Sequence, residues 1–199
     1  MPRKTKRKTR RKTKIWRQAM KKGKIAKRWM KRHRIVYEII VSLLIVGGVY
    51  FGVMGSLCLA LRTDDPYRAV TSGSMVHDTE NWQRSYKNDV YYSGYDMSKF
   101  SIQDGFERGD LLFIEGVNPL MDVRVGDVIV FYVPTQSIPV VHRVVAINNS
   151  DGEVYFTTKG DHNSDPLSFD QHIKAEQILG RVVFVIPKIG YLSLWWRGQ

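Results

Sequence analysis

The sequence predicts a mostly β domain carried behind one N-terminal transmembrane helix. Three observations predict it. Residues 39–61 are 23 consecutive residues without a charge. Short runs rich in Val, Ile, Phe and Tyr follow, separated by turn signals and with no long helical pattern between them. The charges divide sharply along the chain. Residues 1–34 hold 18 Lys and Arg and no acid, and the other 13 Lys and Arg stand against all 19 acids. The net +12 is therefore +18 on residues 1–34 and −6 on the rest, so the average does not describe a nucleic-acid-binding body.

The arm, residues 1–38, is nearly continuous in charge from Arg3 to Lys12 and repels itself as a free segment. Anionic lipid headgroups attract it, with Trp16, Ile25, Trp29 and Met30 available to enter the interface if residues 14–34 become helical. RNA is the competing anionic partner. The 23 uncharged residues that follow suffice to cross a hydrocarbon core of about 30 Å. A cleaved secretory signal fits less well, because its apolar core is usually about 7–15 residues. Arg28, Lys31, Arg32 and Arg34 precede the span and Asp64-Asp65 follow it, which predicts a cytoplasmic N-terminus and a translocated body. Gly52-x-x-x-Ser56 has the spacing of a helix-packing face. The one cysteine, Cys58, excludes a disulfide framework and a multi-cysteine zinc site.

Residues 62–199 form the body. Strands are expected at Leu111–Glu115 and at 128–133, 140–147, 154–158 and 181–186. The turn signals are Arg108-Gly109-Asp110, Val125-Gly126-Asp127, a hairpin loop at 148–152, and Lys159-Gly160-Asp161. Residues 76–107 are polar, rich in tyrosine (Tyr86, Tyr91, Tyr92, Tyr95) and aperiodic, and read as an insert. The tail 189–197 is too short to span. Its Trp195-Trp196-Arg197 suits either a membrane interface or packing on the body.

Three segments carry candidate chemistry. In Thr71-Ser72-Gly73-Ser74-Met75, a glycine beside a serine nucleophile lets the backbone turn and present an N–H to a substrate oxygen, although Ser-Gly-Ser is also an ordinary loop string. In Pro139-Val140-Val141-His142-Arg143-Val144, a strand sets Val140, His142 and Val144 on one face. His142 there is either a hydrogen-bonded core histidine or the base for a serine. In Thr158-Lys159-Gly160-Asp161-His162-Asn163-Ser164-Asp165, a carboxylate can orient an imidazole, or the acids simply make turns or bind calcium.

In order and combination, behind one span, these strings resemble type I signal peptidase of the archaeal and endoplasmic-reticulum kind. Arg108-Gly109-Asp110-Leu111-Leu112-Phe113, Val125-Gly126-Asp127-Val128-Ile129-Val130-Phe131 and the closing Gly180 to Tyr191 stretch resemble the family as well. The resemblance covers about residues 39–194 apart from 76–107. It implies a signal-peptidase-like antiparallel β catalytic domain. It also implies Ser74 as nucleophile, Ser72 with the Ser74 N–H as the oxyanion site, and His142 as general base where bacterial relatives use lysine. For the acid it implies Asp165 with Asp161 in support, and Asp170 as the fallback, since the interval to Asp165 is shorter than the family's. Val76-His77 replaces the family's acid-Pro pair, and His77 is an alternative base close to Ser74. The implied activity is acyl-enzyme cleavage of signal peptides with no metal or organic cofactor. The implied partners are secretory preproteins, membrane lipids, and a translocon or other subunits, with no specific nucleic acid. The competing readings are an inactive membrane-tethered scaffold and a ribosome or nucleic-acid tether acting through the arm.

Overall fold

The structure is a computed structural model that describes residues 20, 24, 27–29, 31–77, 82–83, 95–150 and 152–198. The basic run at 3–12, Trp16, Ile25, Met30 and the tyrosines 86, 91 and 92 lie outside the described residues. Two compact units result, Met1–Met54 and Gly55–Gln199.

Helix α1, Arg34–Leu61, has 28 residues, none of them buried. Its most apolar window has a mean hydropathy of 2.1. At about 1.5 Å per residue it is long enough to cross a bilayer core. On its exposed first turn Arg34 Nε reaches Glu38 at 2.8 Å, four residues on.

The second unit is built on one seven-stranded sheet. Its strands are β1 (Tyr67–Ala69), β2 (Leu111–Glu115), β3 (Val128–Phe131), β4 (Val140–Ser150), β5 (Glu153–Lys159), β6 (Ile173–Lys174) and β7 (Ile178–Ile186). They lie in the order β1-β2-β7-β3-β4-β5-β6, and every pairing is antiparallel. The expected mostly β domain is therefore observed. The long apolar runs became strands where expected. The two- and three-residue strands β1 and β6 carry no period of their own and exist because a neighbour pairs with them. β4 and β5 run into the expected loop at 148–152, pairing through Ser150 and Glu153, with Gly152 at φ 81°.

β3 separates two cores. Val128 and Val130 pack with Val70, Met75, Phe106, Leu112 and Val182, while Ile129 and Phe131 pack with Val144, Phe156 and Ile173. This two-sided burial explains an apolar run without alternation. The turns into β2 and β3 share one construction. Gly109 and Gly126 adopt φ of 91° and 97°, where an added Cβ would strike Tyr191 and Phe100. The aspartate after each glycine then accepts a backbone N–H three residues back, from Glu107 to Asp110 and from Arg124 to Asp127, both at 2.9 Å. Below the sheet, hydrogen bonds from Arg181 and then Arg62 hold the Glu115 carboxyl below its usual range. Helices α2 (Pro119–Asp122) and α3 (Tyr191–Arg197) belong to this unit. The tail thus packs by Leu194, which is buried, and exposes Leu192, Trp195 and Trp196.

Candidate active site

His142 stands on β4 with Val140 and Val144 on the face that meets Phe131 and Phe169. Its Nδ1 lies 2.6 Å from Asp170 Oδ1, and both side chains are almost wholly shielded from solvent. Asp170 closes a 3₁₀ turn, Ser168–Asp170, that returns the chain to β5. There the Thr158 hydroxyl donates to Oδ1 at 2.6 Å and the Leu167 N–H donates to Oδ2 at 2.9 Å. Contacts to the imidazole, a hydroxyl and a backbone N–H fix the orientation of this buried carboxylate.

Asp165, the acid expected on His142, is exposed and lines a separate depression with His172 and Tyr155. The carboxylate paired with His142 is that of Asp170, the fallback. The reason is geometric. The chain leaves β5, makes an exposed excursion through Asp165, and only the 3₁₀ turn folds back under the imidazole. Asp161 does not pair with His142 either. It turns to the opposite face of β4, where Arg143 Nε reaches both its oxygens at 3.0 and 3.2 Å and Nη2 reaches Oδ2 at 2.6 Å.

Ser74 and Met75 form a turn outside the sheet. Met75 is buried in the core, the Phe106 N–H donates to its carbonyl at 3.0 Å, and the His162 N–H donates to the Ser74 carbonyl at 2.9 Å. Ser74 Oγ and Ser72 Oγ are 3.4 Å apart. Gly73 has an ordinary φ, and a Cβ there would meet only Val76 at 3.5 Å. The glycine that the geometry demands is Gly160. A Cβ on it would stand 2.8 Å from the Ser74 carbonyl, 2.8 Å from Asn163 Nδ2 and 3.0 Å from His142 Nε2. The serine turn and the free edge of the imidazole therefore approach each other across a residue with no side chain. Ser72, Ser74, His142 and Asn163 line one cleft of about 410 Å³, walled by Val70, Phe106, Ile138, Leu167 and Phe169 among others. Among the described residues, no group of three or more His, Cys, Asp or Glu is arranged to hold a metal ion.

Sequence reasoning missed the role of Arg143. It is completely buried, and donates to the carbonyls of Ser101, Gly126 (2.9 Å) and Ile102 (3.1 Å) besides Asp161. The available signal was an arginine alternating with Val141 and Val145 in a strand, which requires a buried acid. Replacing Arg143 by Leu is expected to destabilise the domain by about 3–5 kcal/mol, because Asp161 is left buried without its counter-charge. Thermal unfolding of the full chain in detergent measures it. An unchanged midpoint would mean that the pair carries no weight.

One cleft thus holds two serines and an aspartate-paired histidine, in a mostly β domain that follows one helix of membrane-spanning length. The chain is similar to the signal peptidase complex catalytic subunit sec11 of Schizosaccharomyces pombe, 33% identical over 117 residues, which are 48% of this chain and 62% of that one. It is 38% identical to the corresponding SEC11 subunit of Lachancea thermotolerans over 103 residues, 48% of this chain and 60% of that one. The same subunit of Sclerotinia sclerotiorum is 36% identical over 99 residues, 47% and 58% of the two chains. No family model matches the chain. The chain spans about 60% of the length of these curated relatives. Over about half its length, then, the chain is similar to catalytic subunits of signal peptidase complexes.

Proposed function

We propose that the protein is a membrane-bound serine endopeptidase that removes signal peptides from translocated preproteins. The observation that carries this reading is the His142–Asp170 pair opening onto the cleft that holds Ser74. Asp170 keeps Nδ1 protonated, so Nε2 presents its lone pair to the serine turn. When a substrate carbonyl enters, Ser74 Oγ turns from Ser72 to His142 Nε2, which takes its proton as the oxygen attacks. The Ser74 N–H donates to no described residue, and with the Ser72 hydroxyl it is placed to stabilise the oxyanion. The imidazolium then returns its proton to the leaving amine. Water, activated by the same nitrogen, hydrolyses the acyl-enzyme.

Orientation follows from the charge on either side of α1, with the basic arm cytoplasmic and the β domain translocated. Exposed Leu192, Trp195 and Trp196 suit contact with the bilayer interface. Preproteins and lipids are the expected partners, with a translocon or further subunits beside them. The resemblance implies a preference for small residues before the cut.

The test is cleavage of a preprotein by the full chain reconstituted in phospholipid vesicles, with the products identified by mass. A single cut after a small-x-small sequence is expected, and none with His142→Ala. Binding of the preprotein without cleavage by the unaltered chain would favour the scaffold reading. Equal cleavage by His142→Ala would remove the proposed base.

A further inference from the structure

A second histidine–aspartate pair lies behind the serine turn. His77 Nε2 is 2.7 Å from Asp161 Oδ2, and His77 Nδ1 is 3.1 Å from the carbonyl oxygen of Gln103. The imidazole is only 8% exposed and stacks on Trp82 with centroids 4.3 Å apart. Arg143 lies 5.0 Å from the centroid of the same Trp82 ring. Neither serine nor substrate cleft touches His77, so it is no rival base.

Both ring nitrogens face acceptors. A carbonyl oxygen cannot donate, and Asp161 is held as a carboxylate by the buried Arg143 guanidinium. A neutral imidazole has one N–H and satisfies one of the two acceptors, whereas an imidazolium satisfies both. The backbone around it is shaped to this end. Ile102, a β-branched residue, is held at φ 52°. Three successive carbonyls, those of Ser101, Ile102 and Gln103, thereby serve the cluster, two for Arg143 and one for His77. Gly105, at φ 64°, lies so close that a Cβ would stand 2.5 Å from the Met75 carbonyl and 2.8 Å from the His77 ring. The charged groups in contact with the cluster among the described residues are Asp161 and Arg143. On the same segment Asp104 and Glu107 are exposed, the latter paired with Lys188.

We propose that His77 is a positioning residue that acts in its doubly protonated form, clamping the 101–105 segment and the Asp161 loop onto the turn that carries Ser74. The proposal rests on the peptidase reading for its activity readout. His77 is two residues from Met75, whose carbonyl accepts from Phe106 and whose sulfur lies 3.5 Å from the Asp161 nitrogen, so the clamp grips the turn from both sides. Loss of a proton from His77 leaves the Gln103 carbonyl facing a lone pair and frees one side. Both ring nitrogens of His77 are thus committed to the clamp.

The experiment compares kcat and KM of cleavage by the full chain in vesicles, for wild type and His77→Gln. Glutamine can donate to Asp161 but cannot also serve the Gln103 carbonyl as an imidazolium does. His77→Gln is expected to lower kcat about tenfold with KM unchanged, the loss expected for one charge-assisted hydrogen bond. A kcat equal to that of wild type in His77→Gln overturns the proposal. Histidine-selective ¹⁵N NMR of the Ser74→Ala chain, which needs no turnover, reads the same claim separately. Both ring nitrogens of His77 should carry protons at the pH of maximal wild-type cleavage, and the signals should vanish in Ser74→Ala/His77→Gln. A single N–H on His77 at that pH overturns the proposal even if cleavage depends on Ser74 as expected. Cleavage that survives Ser74→Ala overturns the peptidase reading while the NMR result still stands.

Discussion

Ser74→Ala in the full chain, assayed in vesicles against a preprotein, is expected to reduce cleavage by about six orders of magnitude, the scale seen when the nucleophile of a serine peptidase is removed. The change deletes one oxygen that faces the cleft and otherwise contacts Ser72 at 3.4 Å. Met75 stays in the core, and the Ser74 carbonyl keeps its bond from His162. The fold therefore has no reason to change, and the variant should still compete for preprotein. Loss of cleavage with retained binding supports the proposed chemistry. Cleavage within tenfold of wild type would assign the reaction to another group.

Asp170→Asn is expected to lower kcat by roughly 10⁴-fold, whereas Asp165→Ala should leave it within about twofold. Asparagine is isosteric but has a single acceptor oxygen. If that oxygen accepts from His142 Nδ1, it must be shared with the Thr158 hydroxyl, and the amide NH₂ is turned toward the Leu167 N–H. If the amide rotates, NH₂ faces Nδ1 and selects the imidazole tautomer whose proton sits on Nε2, where it cannot act as base. Asp165 is exposed and bonded to none of these groups. Equal losses from the two substitutions would contradict the pairing with Asp170. Circular dichroism of Asp170→Asn checks that the buried site has not simply unfolded.

Much of the fold was legible because its signals are local. An uncharged run of membrane length, valine-rich strands and Gly-Asp turns each act within a few residues, and those elements form where expected. Strands β1 and β6 were not legible, since two or three residues carry no period. The helix α3 was half legible. Its tryptophans are exposed, but only the sheet decides that Leu194 is the residue buried. The candidate site divides the same way. Ser74 and His142 announce themselves by residue type within strings whose order matches a family. The choice among Asp161, Asp165 and Asp170 turns on which carboxylate the chain returns to β4, and on which face, and spacing along the chain does not encode that.

By itself the sequence determined an apolar helix behind a basic arm and a mostly β body, which depend on composition and short-range periodicity, while Ser74 and His142 stood out only through the order of strings that resembles a family. The tertiary structure alone decided that Asp170 rather than Asp165 meets His142, that Asp161 is committed to Arg143 and His77, and that Gly160 rather than Gly73 is the glycine the site cannot replace. The physical reason is burial. A carboxylate shielded from water must find donors, and only the packed sheet brings distant donors within 3 Å of it.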